Sequence, residues 1–329
     1  MAMQRCLKAV RQVVERGKQK PLYALSSIGI GLGAVAFGAQ WSSAVLADAS
    51  PRLTMMTWNV LARPYTKHNW QHHRANTKVE EMHQTLSRYT YAGEEIVNQG
   101  LDLVFLQQCE AEFTQPEWNL VASRLLSEYE FFRCPQEPHE GPGTAVLVRR
   151  GGRARPQVEP GRHLCVGGTT DTGGLSKRAT IVPVTAGSHS LLAVSGHFAW
   201  DGETEKRLRH VEMVGEVVGD RSVILAGDFN CQPGPALDML EKSSGLLSKL
   251  RRVHLPEGTM TGLSGDFQNE VCIDHVYLSP DLCSVWAAAL AKPASPWDGK
   301  CMRPANVNGA SEHVPVVVEL NLFAGGLSP

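Results

Sequence analysis

Asp228 and Asn230 stand two residues apart, directly after the short run Ser222-Val223-Ile224-Leu225-Ala226-Gly227. A carboxylate and a carboxamide at that spacing can serve a hard cation and a phosphate oxygen together, which is what metal-assisted phosphoryl chemistry requires. Taken alone, the same spacing also suits an Asx turn that caps the next helix, so its meaning depends on partners elsewhere. Other polar residues occupy equivalent places: Asn59, Gln108 and His197 each follow an apolar run, while Asp274 and His313 lie in or beside two more. If such ends meet along one edge of packed sheets, they form a cleft of carboxylates, amides and histidines suited to hydrolysing a phosphodiester with a metal.

The elements that must position these residues can be read from periodicity. Strands are expected at Leu53–Val60, Leu103–Leu106, Thr144–Val148, Val223–Ala226, Val271–Leu278 and Val314–Leu320, with Ala179–Val184 and Ser190–Ser195 forming a pair around Gly187. Helices are expected at Glu94–Asn98, stopped by Gly100, and at Pro116–Glu128, whose apolar face is Trp118, Val121, Leu125 and Leu126. A third, Glu203–Val218, turns Leu208, Val211, Val214 and Val218 inward and Lys206, Arg209 and Glu216 outward. His197, this helix and the Asp228 strand follow one another in a βαβ-like order. The polar stretch His68–Arg88 holds His68, His72, His73 and His83 at spacings that do not share a helix face, and reads as a solvated loop or helix rather than a metal site. Arg149-Arg150-Gly151-Gly152-Arg153-Ala154-Arg155 reads as a solvated loop rather than a phosphate grip.

The 329 residues suffice for a full core, and a hydrophobic share of 43% with 20% charged residues is that of a soluble globular protein. The formal net charge of −1 hides an asymmetry. Arg5, Lys8, Arg11, Arg16, Lys18 and Lys20 face only Glu15, which leaves the rest of the chain mildly acidic. An acidic body excludes a broad nucleic-acid footprint and confines any polyanion to a local cleft. Residues 21–39 form an apolar, Gly-rich run, and no charge appears from Pro21 until Asp48. Residues 1–50 are thus expected to be a targeting peptide with an apolar segment, followed by one domain over 51–329. The Arg-containing lead points to a mitochondrion or other organelle, with the secretory pathway as the alternative. Residues 21–39 are the candidate for membrane association, and nothing in the sequence points to a protein partner. The eight cysteines are far apart and form no Cys-x-x-Cys pair, so they are read as reduced core residues rather than disulfides or zinc ligands.

The ordered set Trp58-Asn59, Leu106-Gln107-Gln108, Gly196-His197, Gly227-Asp228-Phe229-Asn230, Ile273-Asp274-His275 and Ser311-Glu312-His313 resembles the endonuclease/exonuclease/phosphatase superfamily across residues 53–322. The resemblance implies an α/β four-layer sandwich, two packed mixed β-sheets flanked by helices, and a phosphohydrolase dependent on Mg²⁺ or Mn²⁺. Within the superfamily, Trp58-Asn59-Val60-Leu61-Ala62, His197-Phe198-Ala199-Trp200-Asp201 and Asp228-Phe229-Asn230-Cys231-Gln232-Pro233 are similar to the deadenylase and nocturnin branch. So is Thr259-Met260-Thr261 with Asp266-Phe267. That likeness implies RNA or an adenine nucleotide as substrate, with Phe267 stacking on an adenine base and Trp200 as a second substrate-binding residue.

In the roles this implies, Asp228 aligns and deprotonates the attacking water, while Asn230 and Asn59 hold the water and a phosphate oxygen. His313, paired with Asp274, stabilises the pentacovalent phosphate as an imidazolium, and His197 adds a second donor. The chain departs from the pattern at the metal. Gln108 stands where the family has its principal metal-binding glutamate, and offers a neutral oxygen in place of a charge. Glu110, two residues on along an extended strand, is the candidate substitute, and Glu312 stands where Asp is common. Gly202 stands where a proline is expected. The readings that follow are a phosphodiesterase acting on RNA 3′ ends or an adenine nucleotide, one acting on a phospholipid or small phosphorylated molecule, and a pseudoenzyme that binds without turnover.

Overall fold

Uninterrupted apolar runs become strands covered on both faces, and amphipathic segments become the helices that cover them. In chain order the strands are β1 Arg52–Asn59, β2 Leu103–Cys109, β3 Tyr129–Gln136, β4 Gly141–Arg149, β5 Ala154–Pro156, β6 Leu164–Thr170, β7 Ser176–Ala186 and β8 His189–His197. They continue with β9 Val223–Asp228, β10 Arg251–Arg252, β11 Gly262–Leu263, β12 Glu270–Val271, β13 Asp274–Leu278, β14 Leu282–Ala289 and β15 Val316–Leu322. The helices are α1 Met82–Gln99, α2 Ala122–Glu128, α3 Thr204–Val218 and α4 Pro235–Ser243. The structure, a computed structural model, describes residues 52–62, 82–136, 141–170, 176–199, 203–263, 270–290, 311 and 313–322.

One sheet has the order β14-β15-β1-β2-β4-β3, and the other β10-β13-β9-β8-β7-β5, with β6 also paired to β7. Both are mixed: β1–β2 and β8–β9 are parallel, and the other pairs are antiparallel. Leu53, Met55, Phe105 and Val146 of the first sheet pack with Val182, Ala193, Ile224 and Val276 of the second, so the main core lies between the sheets. The outer face of the first is covered by Tyr89, Ile96 and Leu125 of α1 and α2, and that of the second by Val211, Val214, Leu237 and Leu240 of α3 and α4. This is the four-layer α/β sandwich that the motif order implied.

Several element limits differ from the sequence reading, each for a local reason. α1 begins at Met82, inside the polar stretch, because Leu86, Tyr89, Ile96 and Val97 form a buried face that Arg88 and the mid-helix Gly93 disguise. The segment before α2 does not continue that helix. The Asn119 amide donates to Phe113 O at 2.8 Å while its Oδ1 accepts from Val121 N at 3.1 Å, an Asx-type turn. The run Val271–Leu278 is split between β12 and β13, and Thr261 Oγ1 accepts from both Ile273 N and Asp274 N at 3.0 Å. The arginine-rich loop lies at the far end of β4, where Asp102 Oδ1 accepts from Arg153 N at 2.7 Å. The cysteine reading is corrected: Cys134 and Cys165 form a disulfide with Cα atoms 5.6 Å apart, because β3 and β6 meet at neighbouring sheet edges, a proximity that sequence distance conceals. Cys109, Cys231, Cys272 and Cys283 are free thiols. Among the described residues no helix is long and apolar enough to cross a membrane, and residues 1–51 lie outside them.

Candidate active site

Strand direction brings the polar ends to one edge. Parallel β1 and β2 finish beside each other at Asn59 and Gln107, parallel β8 and β9 at His197 and Asp228, and β13 begins with Asp274 opposite Asp228. Because β15 runs antiparallel to β1, the segment ahead of it carries Ser311 and His313 to the same edge.

Asp228, only 1% exposed, is the hub. Its Oδ2 accepts from Asn59 Nδ2 at 3.0 Å, a contact that joins the two sheets, and its Oδ1 accepts from the backbone N–H of Asn230 at 2.8 Å. His197 Nε2 and His313 Nε2 face Oδ2 at 3.6 and 3.8 Å. His313 Nδ1 donates to Asp274 Oδ2 at 2.8 Å. Burial raises the Asp274 pKa, and the neighbouring His313 opposes that rise. The Asn230 amide donates to Phe198 O at 3.0 Å, which ties the segment after β9 to the segment after β8.

The supports are buried and specific. Trp58 Nε1 donates to His313 O at 3.0 Å, and Ser311 Oγ donates to Asn59 O at 2.6 Å while accepting from His313 N at 3.1 Å. Arg207 donates to Ala199 O at 3.0 Å and Asn230 O at 2.9 Å. Leu61, Gln108 and Asn230 are the only non-glycine residues with positive φ among the described residues, and all three belong to this edge. Left-handed backbone at such residues costs on the order of 1–2 kcal/mol each and persists where the surroundings over-determine it.

Lys177, at the start of β7, completes the cluster and escaped the sequence reading. It is 2% exposed, and its ammonium group donates to His197 Nε2 at 2.9 Å. An ammonium has no lone pair, so Nε2 must be the acceptor and the His197 proton sits on Nδ1. Burial first, then the charges of Lys177, His313 and His210, hold the His197 pKa well below its ordinary value. The role expected of His197 changes accordingly: the nitrogen facing Asp228 accepts, and the cation on that side is Lys177. A signal was available, since Ala186↔His189 and Ala179↔Gly196 in the hairpin fix Lys177 beside the end of β8. Arg207 was likewise legible as a charged residue in register with the apolar face of α3.

The metal candidates are less closely gathered. Carboxylate oxygens of Asp228 and Asp274 and a ring nitrogen of His313 lie within 4.8 Å of one another. Gln108 Oε1 accepts from Ala62 N at 3.2 Å, so one of its two lone pairs is held by the turn after β1. Glu110 does not join that group. Its carboxylate accepts the Tyr89 hydroxyl of α1, because left-handed Gln108 and the shift in strand pairing between Leu106 and Cys109 break the alternation that would align it with Gln108. Trp200, Phe267 and Glu312 lie outside the described residues.

Residues 56–301 match the family model described as the Endonuclease/Exonuclease/phosphatase family. Among solved structures the chain is similar to ANGEL2, a 2′,3′-cyclic phosphatase in complex with adenosine-2′,3′-vanadate, with a TM-score of 0.63 at 13% identity over 84% of this chain and 97% of that one. It is also similar to D. rerio TDP2 complexed with single-strand DNA product, with a TM-score of 0.57 at 16% identity over 82% and 99% of the two chains. The human Nocturnin catalytic domain with bound sulfate gives a TM-score of 0.54 at 18% identity over 83% and 94%. At such identities these likenesses show the fold. No curated protein sequence matches the chain.

Proposed function

Because the chain belongs to the endonuclease/exonuclease/phosphatase family, we propose that it is a divalent-metal-dependent phosphodiesterase acting at an RNA 3′ end or on an adenine nucleotide. The observation that carries this reading is Asp228, a buried carboxylate oriented by Asn59 and the Asn230 N–H and faced by two imidazoles just beyond hydrogen-bond range. In that setting Asp228 takes the proton of a water bound in the cleft. His313, fixed through Nδ1 by Asp274, presents Nε2 toward the same place and steadies a phosphoryl oxygen there. Lys177 brings a fixed positive charge to the His197 side.

The donor set fits a divalent cation. Asp274 Oδ1 is buried and, among the described residues, has no hydrogen-bond partner, an anionic oxygen that a cation would satisfy. Asp228 and Asp274 would hold Mg²⁺ or Mn²⁺, which when bound supplies Lewis-acid polarisation of the phosphoryl group.

The test is to incubate the purified full chain with oligo(A), mixed RNA, NADPH or a phosphodiester lipid, with either metal and with chelator. Metal-dependent shortening of oligo(A) from its 3′ end or hydrolysis of NADPH is expected, with Asp228→Ala reducing the rate by a factor on the order of 10³. Hydrolysis by Asp228→Ala at the wild-type rate sinks the mechanism, and turnover of the lipid alone replaces the substrate. The commitment of Gln108 to Ala62 favours a second reading, a nucleotide-binding pseudoenzyme. An inert wild type together with an active Gln108→Glu variant selects it.

A further inference from the structure

Cys134 and Cys165 lie away from the chemistry of the cleft, but the strands that carry them lead to it. β3 is the edge of one sheet, and β6 joins the other only through β7. Their disulfide is the covalent tie between the sheets among the described residues. Immediately inside it runs a hydrogen-bonded tie. Cys134 is in register with Thr144 and Cys165 with Thr180, and the two threonine hydroxyls meet at 2.8 Å. From Thr180 the strand leads straight to Lys177, which the β6 pairs Gly167↔Arg178 and Thr170↔Ser176 bracket on either side. Whatever holds β6 in place therefore also holds the start of β7, where Lys177 meets His197.

The bridge is built to be reached from one side. Cys165 is exposed, Cys134 is buried, and a ring nitrogen of His163 lies within 4.8 Å of both sulfurs. His163 Nε2–H donates to Arg133 O at 3.0 Å, which leaves Nδ1 as the proton-free nitrogen, accepting from Gly161 N at 3.3 Å. Burial lowers the His163 pKa, which favours the neutral ring that these two hydrogen bonds hold beside the sulfurs.

We propose that Cys134–Cys165 is a reversible thiol–disulfide exchange site, opened by a dithiol reductant, and that opening it frees β6 and loosens the seat of Lys177. A thiolate of the reductant attacks the exposed Cys165 Sγ, the S–S bond breaks, and its electron pair leaves with Cys134 Sγ, which is protonated from water. The reductant's second thiolate then attacks its own sulfur in the mixed disulfide and expels Cys165 as a thiolate that takes a proton. The protein gains two electrons and two protons, and the dithiol becomes a cyclic disulfide.

The experiment compares the full chain before and after dithiothreitol, using alkylation with intact mass, thermal melting and peptide-level hydrogen exchange. In untreated protein Cys134 and Cys165 are expected to resist alkylation, and after reduction both react. The melting temperature then falls by roughly 5–10 °C. Amides of residues 176–181 are expected to exchange at least about tenfold faster, while those of β9 change less, and reoxidation should restore both. The Cys134→Ser/Cys165→Ser double variant should behave as reduced protein and ignore the reagent; if it does not fold, reduced wild type carries the comparison. Alkylation of both cysteines in untreated protein overturns the proposal, and so does unchanged exchange at residues 176–181 after reduction. None of these readouts requires turnover.

Discussion

His210 points both ring nitrogens into the packed layer between α3 and its sheet, where neither has a hydrogen-bond partner among the described residues. Burial first, and the charge of Lys177 second, push its pKa down to about 3. The unfolded chain takes up that proton near pH 6.5, while the folded chain refuses it until about pH 3. Between those values the unfolded state binds more protons, so the contribution is complete above pH 6.5 and drains away as the pH falls, by roughly 1.4 kcal/mol per pH unit at most. Urea melts of wild type and His210→Gln between pH 7.5 and 4.5 check this. The variant is expected to lose stability less steeply on acidification, and parallel slopes would refute the account. Legibility at this scale followed the same logic of burial. Asn59, Asp228, Asn230, Asp274 and His313 could be read as a group because each stands at or beside the limit of an apolar run. Lys177 and Arg207 become legible only once a strand register or a helix face is drawn, because each is a cation in a segment that otherwise looks solvated. Gln108 was legible as a departure, but not the left-handed turn that commits its oxygen to Ala62.

At the scale of elements, the cleft depends on how closely β8 and β9 approach. A Cβ on Gly227 would stand 1.9 Å from the Gly196 carbonyl oxygen, a backbone atom of the neighbouring strand that cannot turn aside. Gly227→Ala must therefore push β9 away from β8 just where His197 and Asp228 face each other, at a cost expected to exceed about 3 kcal/mol. Gly167, in β6, provides the contrast: a Cβ there meets nothing within 4 Å, so Gly167→Ala is expected to be neutral or stabilising by up to about 1 kcal/mol. Denaturant unfolding of the two variants decides the matter. A Gly227→Ala protein as stable as Gly167→Ala would mean that the strands are not locked at this spacing. Strands were legible because runs such as Val223–Ala226 are apolar without interruption. Helix limits were harder, since α1 hides its buried face behind Arg88 and Gly93, and a side-chain turn at Asn119 delays α2.

At the scale of the whole molecule, the sandwich is built from the described elements between Arg52 and Leu322, and the first fifty residues are argued from chemistry. Six basic residues before residue 21, followed by an uncharged stretch to Asp48, have no counterpart in the mildly acidic remainder, and such a lead serves delivery better than packing. Fusing residues 1–50 to a fluorescent protein is therefore expected to place the fusion in an organelle, mitochondrial in the first instance. Neutralising Arg5, Lys8, Arg11, Arg16, Lys18 and Lys20 together should return it to the cytosol. The Cys134–Cys165 bridge bears on the proposed address, because disulfides persist where the surroundings are oxidising, the secretory pathway included, and are rare where thiol buffers keep cysteines reduced. An organelle compartment outside the reducing matrix satisfies both features, so the full chain in isolated mitochondria should resist added protease until the outer membrane is ruptured. A diffuse fluorescent signal from the fusion removes the targeting argument. Protection that survives rupture keeps it but moves the chain inward, to a compartment where the bridge would spend its time open.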